Sequence, residues 1–256
     1  MSLSWSESVR IGLSPRRVEL ARLRPGLRRR AVVEERARDC ALEDGQPAWS
    51  GALAALDALL AEQSLAGAAA SVVLSNHFVR YAVLPWNPEL VTAAEFAVAA
   101  AQRIQLTFGD AAHGWEVRAS AGEWGEAGIV CAIDAALLAA LGERLRLVAV
   151  EPLLMNVFNA LRRDIEPDGA LAVVEPGRVC VGVFSQGQWR SVMSRRGDDP
   201  ARLIVQELAL AAPEIPPSRV ELLNLGPDRT WSPSLPLRVH AAPAGRTCPL
   251  ALYGSV

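Results

Sequence analysis

The sequence predicts an α/β protein in which one unit, three strands followed by a helix and a further strand, is written twice. Three observations predict it. Short apolar or β-branched runs separated by Pro- and Gly-marked turns open the chain, and the same order returns after Glu166-Pro167-Asp168-Gly169. Each set of runs is followed by apolar residues at helical spacing. The composition, 51% hydrophobic against 21% charged over 256 residues, belongs to a globular chain long enough for one large domain or two small ones, and excludes disorder as its main state.

Residues 8–13 run into a Ser14-Pro15-Arg16 turn and then into residues 17–24, where Val18, Leu20 and Leu23 mark a strand with one buried face; the two form a β-hairpin. Pro25-Gly26 turns the chain into a third strand over 28–35, centred on Val32 and Val33. Leu53, Leu56, Leu59 and Leu60 predict a helix over 49–61 with Ser50 as its N-cap. Residues 71–74 and 78–84 are apolar strands on either side of Ser75-Asn76-His77, and an alanine-rich helix is expected over 88–105, opening near Pro88. Residues 114–119 and 128–133 read as a strand pair about a turn at Gly122-Glu123-Trp124-Gly125-Glu126. A helix over 134–144, a strand over 147–150 and a helix over 153–163 lead to the Glu166 to Gly169 boundary.

Beyond that boundary, residues 170–174, a Glu175-Pro176-Gly177 turn, residues 178–184, a Gln186-Gly187 turn and residues 188–194 make the second meander. A helix over 200–211 follows, with Asp198 and Asp199 at its N-terminus, where acidic side chains suit the helix electrostatically. Strands at 219–223 and 237–240 end the pattern.

This repeated order is that of an actin-like ATPase fold, a duplicated ribonuclease-H-like architecture. The stretch from Ser71 through Phe108, Val-Val-Leu-Ser, then Phe-Val-Arg-Tyr-Ala-Val-Leu-Pro and a long helix, resembles the inserted subdomain of PilM-type pilus assembly proteins. It is similar also to the cytoplasmic domain of GspL-type secretion proteins and to MshI-type biogenesis proteins. The strand Gln188-Trp189-Arg190-Ser191-Val192-Met193-Ser194-Arg195 resembles the one that opens that family's second domain. The resemblance covers nearly the whole chain. It implies a first ribonuclease-H-like half over 1–166 with an inserted subdomain at about 71–133, and a shortened second half over 167–256.

The departures bear on chemistry. In that superfamily the first hairpin carries an Asp-x-Gly-Ser/Thr turn that holds phosphate and metal, whereas here Ile11-Gly12-Leu13-Ser14-Pro15-Arg16 stands in its place. Where the second hairpin would carry Asp-x-Gly-Gly-x-Thr, this chain has Glu175-Pro176-Gly177, and proline offers no N–H to an anion. Little chain follows Val239 from which to build a full ATPase. Gly12, Ser14, Glu175 and Gly177 are therefore expected to be vestiges of a cofactor site. ATP with Mg²⁺ is the cofactor the fold implies, and the turns predict that none is held.

Composition narrows the chemistry independently. All 26 basic residues are arginine, so the lysine of a P-loop, of a pyridoxal imine and of many kinases is missing. A formal charge of -2 gives no global field for nucleic acid or an anionic bilayer. The run Arg28-Arg29-Arg30 is followed closely by Glu34 and Glu35 and reads as a solvated strand or turn, not a nucleic-acid patch. Cys40, Cys131, Cys180 and Cys248 form no CxxC pair and read as reduced thiols. His77, His113 and His240 match no metal signature, no Gly-x-Ser-x-Gly elbow occurs, and the start lacks an apolar signal core. A soluble, unexported chain without catalytic residues is expected.

Aromatics make up only 5% of the chain, yet Phe78, Tyr81 and Trp86 fall within nine residues, beside Arg80 and Pro85. Amphipathic aromatics next to an arginine are what a peptide groove offers. In the family resembled, a groove beside this subdomain receives the short cytoplasmic tail of a single-span membrane protein. The expectation is a non-catalytic cytoplasmic adaptor of a type IV pilus or type II secretion platform, held at the inner membrane through that partner, with Phe78, Arg80, Tyr81 and Trp86 as contact residues. No nucleic acid and no direct membrane insertion are expected, and a homodimer is compatible with this reading. The alternative is an actin-like or sugar-kinase-like phosphotransferase, for which Glu175 and Asp198 would be the carboxylates.

Overall fold

The structure is a computed structural model and describes residues 8–25, 31–41, 45–65, 68–216, 219–226, 237–240 and 246–254. The Arg28 to Arg30 run and the first residues of the expected third strand lie outside them. The chain divides into two compact units, each assembled from separated stretches: 1–78, 136–159 and 242–256 in the first, and 79–135 and 160–241 in the second.

In the first unit, β1 (Ser8–Leu13), β2 (Arg17–Arg24) and β3 (Ala31–Asp39) form an antiparallel meander. Helix α1 (Ser50–Glu62) returns the chain so that β4 (Ala69–Leu74) runs parallel to β1, and β8 (Arg146–Pro152) runs parallel to β4. The strand order is β3-β2-β1-β4-β8. β1 and β4 lie inside the sheet with both faces covered, which is why they read as near-continuous apolar runs. β3 is an edge strand, and its polar end continues the ladder as far as Asp39, beyond the expected limit at 35. Ser50 is the first helical residue of α1 and not its cap; Trp49 occupies that position, and its side chain does not cap the helix.

A short helix, α6 (Pro249–Leu252), packs on β1, β2 and β4. No part of the sequence reading anticipated it. Glu35 of β3 fixes its start: one carboxylate oxygen accepts the N–H groups of Thr247 (2.8 Å) and Cys248 (3.0 Å), and the other accepts from Arg246 (2.9 Å). Such charge-assisted bonds stabilise a helix too short to hold itself together.

In the second unit, β9 (Ala170–Glu175), β10 (Arg178–Ser185) and β11 (Gln188–Arg196) repeat the meander. Helix α5 (Pro200–Ala211) precedes β12 (Val220–Asn224), parallel to β9, and β13 (Arg238–His240), parallel to β12. The order β11-β10-β9-β12-β13 reproduces that of the first sheet, strand for strand. Gln186 (φ +52°) and Gly187 (φ +80°) both take left-handed backbone, the pair of values that a two-residue hairpin turn requires. Asp199 caps α5, accepting the Arg202 N–H at 3.0 Å. Val179, Val181 and Val183 pack with Ile204 and Leu208 of α5 as the core of this sheet.

The remainder of the second unit is a three-stranded antiparallel sheet of order β5-β7-β6, made by β5 (Val79–Leu84), β6 (Trp115–Ser120) and β7 (Gly128–Asp134). Helix α2 (Ala93–Phe108) covers it, with Ala100 and Ile104 against Ala82, Val130 and Ala132. The expected start at Pro88 is corrected by the cap. Thr92 accepts from the Glu95 N–H at 3.2 Å and the Glu95 carboxylate accepts from the Thr92 N–H at 2.9 Å, a reciprocal box that starts the helix at Ala93. Two further helices, α3 (Ala135–Arg144) and α4 (Leu153–Leu161), complete the chain.

Candidate functional site

The first hairpin turn closes on itself. The Ser14 hydroxyl donates to the Arg17 carbonyl (2.8 Å) and accepts the Arg17 N–H (3.1 Å), so its hydrogen-bonding capacity is used inside the turn. Gly12 lies beneath α6, where a Cβ would come within 2.9 Å of the Ala251 nitrogen. The glycine serves close helix packing, and Leu250 and Ala251 fill the space above it. Two neighbours clamp the backbone of one residue, Ala251. Glu19 accepts the Ala251 N–H at 2.9 Å, Arg10 donates through Nε to the Ala251 carbonyl at 2.8 Å, and a second Arg10 nitrogen reaches Glu151 at 3.0 Å. Burial raises the Glu19 carboxyl to about 7, outweighing the opposite pull of the α6 backbone N–H groups.

At the second hairpin, Pro176 and Gly177 form a two-residue turn, and Gly177 at φ +74° supplies the left-handed backbone required after the proline. Glu175 is buried and stands opposite Arg178 in the ladder. Asp198 is exposed one residue before the cap of α5.

The four expected contact residues do not form one surface. Phe78 and Tyr81 are buried core residues, whereas Trp86 is 42% exposed. Arg80 is half-buried and places its guanidinium 5.8 Å from the centre of the Trp115 ring. Trp86 instead meets Trp124, edge to face at 5.5 Å, in a groove within the second unit. Pro85 ends β5, and the chain then crosses the mouth of α2, so that Leu84, Leu90 and Phe96 line one wall while the β6–β7 turn carries Trp124 to the other. Gly128 admits the Phe96 ring, since a Cβ there would stand 2.9 Å from it. A second hollow shares Leu90, Val91 and Phe96 and continues the groove to Val117, Arg118 and Ala119 of β6, an edge strand of its sheet. Glu123 and Glu126 sit at the tryptophan end.

Sequence reasoning took Trp124 for part of a polar turn, yet it is 82% exposed. A large aromatic set between glycines in a turn, with no apolar neighbour in sequence to pack on, was the available signal. The histidines serve local structure. His77 donates its backbone N–H to Ser75 Oγ (3.2 Å), the His113 ring Nδ1 lies 3.0 Å from the Asp110 carbonyl, and the His240 ring Nε2 lies 2.6 Å from the buried Glu221 carboxylate.

The doubled sheet order can be set beside known proteins. A structure described as a protein with actin-like ATPase fold and unknown function from Bacteroides thetaiotaomicron matches 86% of this chain and 82% of its own, at TM-score 0.57 and 12% identity. The chain has an actin-like fold. The PilM-PilN type IV pilus biogenesis complex matches at TM-score 0.61 and 16% identity, over 87% of this chain and 82% of that one. The cytoplasmic domain of EpsL, an inner-membrane component of the type II secretion system of Vibrio cholerae, matches at TM-score 0.61 and 13% identity, over 96% and 93%. No protein-family model and no curated protein sequence matches the chain.

Proposed function

We propose that this protein is a non-catalytic cytoplasmic scaffold of a pilus or type II secretion assembly platform, and that it binds the short cytoplasmic tail of a single-span membrane protein in the Trp86–Trp124 groove. The observation that carries the reading is the exposed tryptophan pair at the head of a groove lined by Leu84, Leu90 and Phe96. Large amphipathic rings beside an apolar lining are the anchors that dominate peptide binding. The open edge of β6 runs along the same groove and can add main-chain hydrogen bonds to an extended segment. Glu123 and Glu126 favour a tail with apolar residues and a basic neighbour.

Two further facts support it. The solved structures that match at TM-score 0.61 include a pilus biogenesis complex and a secretion-system cytoplasmic domain. Both hairpin turns that would grip phosphate are engaged otherwise, one in its own hydrogen bonds and one through Pro176. Among the described residues no helix is long and apolar enough to cross a membrane, so attachment there would run through the partner. The test is a titration of the purified protein with synthetic tails of single-span pilus and secretion proteins. Saturable binding that Trp124→Ala weakens supports the reading; indifference to every tail, together with ATP hydrolysis, overturns it.

A further inference from the structure

Burial sets one arginine beside two others. Arg178, the first residue of β10, is 5% exposed, and its Cα stands opposite Glu175 on β9 and opposite Arg196 on β11. Cross-strand partners project from the same face, so the three side chains form one row across the end of the sheet. That face is turned away from α5, because Val179, Val181 and Val183, alternating with Arg178, pack on the helix. β5 packs against β11 and brings Arg80 to the row. Burial first, and then the Arg80 and Arg196 charges, push the Arg178 guanidinium below its ordinary range.

Among the described residues, the Arg80 and Arg196 guanidinium groups and the Glu175 carboxylate all act on Arg178. Like charges directly opposite in a ladder repel, and a buried cation is retained only with a counter-charge and filled hydrogen bonds. One Arg178 nitrogen, Nη1, donates to Ser194 Oγ at 2.8 Å, while Nε is buried and meets no acceptor among the described residues. The Nε and Nη2 groups share one edge of the guanidinium, the edge that holds two oxygens side-on.

We infer that Arg178 and Arg196, with Arg80 beside them, form an oxyanion site at the end of the second meander. The Arg178 edge takes two oxygens of a phosphoryl or carboxylate group, and the exposed Arg196, opposite it on β11, adds charge. The site is built from side chains rather than from the turn backbone, which Pro176 deprives of an N–H. It is separate from the tryptophan groove and stands whether or not a tail binds there.

Calorimetry of the whole chain at fixed ionic strength, with inorganic phosphate in one arm and acetate in the other, tests it. Saturable binding in either arm is expected, and the arm that responds names the group. Arg178→Met should weaken that binding about tenfold or more and Arg196→Gln by several-fold, in line with the loss of charge-assisted bonds. If Arg178→Met does not fold, the Arg196→Gln titration decides alone. Absence of binding in both arms, or binding that Arg196→Gln leaves unchanged, overturns the site.

Discussion

Glu19 shows how one side chain couples packing to pH. Its carboxyl is raised to about 7 in the fold against 4.5 otherwise, so the folded state holds the proton more tightly than the unfolded chain. Stability from this group is therefore complete below about pH 4.5 and falls as pH rises through about 7. The shift of 7 − 4.5 = 2.5 pH units sets a ceiling of about 3 kcal/mol on the effect. Urea denaturation of the parent and of Glu19→Gln at pH 5 and pH 8 checks this: the parent should lose more stability across the interval than the variant. At the neighbouring position, Gly12→Ala would drive a Cβ to 2.9 Å from backbone, and overpacking of this kind costs about 1–3 kcal/mol in denaturation midpoint measurements. The thiols behave oppositely to reactive groups. Burial, with help from Asp39 at Cys40, pushes Cys40 to about 11 and Cys131 to about 12, so alkylation at pH 8 should be slow for the folded protein and fast in denaturant. At this scale the sequence was least legible. It marked Trp86 and missed Trp124, because the meeting of the two rings depends on where a turn forty residues away comes to rest.

Among the elements, strands were legible wherever a turn residue bounded an apolar run, as at Pro176-Gly177 and Gln186-Gly187. Helix starts were legible only through their caps. The box formed by Thr92 and Glu95 stood in the sequence and outweighed Pro88, which sits in the loop before the helix. α6 was not legible, since four apolar residues after a proline carry no periodicity, and its place depends on Glu35, over two hundred positions earlier. Glu35→Ala should leave the Thr247 and Cys248 N–H groups without their acceptor and cost about 1–3 kcal/mol by urea denaturation. The loss of α6 protection should show in amide hydrogen exchange before any change in the β1–β2 hairpin.

Across the molecule, the repeated meander, helix and parallel strand was the strongest signal in the chain, and the two five-stranded sheets carry it in the same order. Periodicity and turns are local and survive in sequence. The grouping of residues 79–135 with 160–241 is not local and left no such mark. The proposed binding role rests on the altered phosphate turns and the exposed tryptophan groove. The most direct measurement is a fluorescence titration of tryptophan emission with a short apolar, basic-flanked tail from a single-span assembly protein, in the parent and in Trp124→Ala. The account predicts saturable binding that the substitution weakens by about thirtyfold or more, the loss of a hot-spot anchor. Equal binding by both proteins, or none by the parent alongside measurable turnover of Mg-ATP, would contradict it.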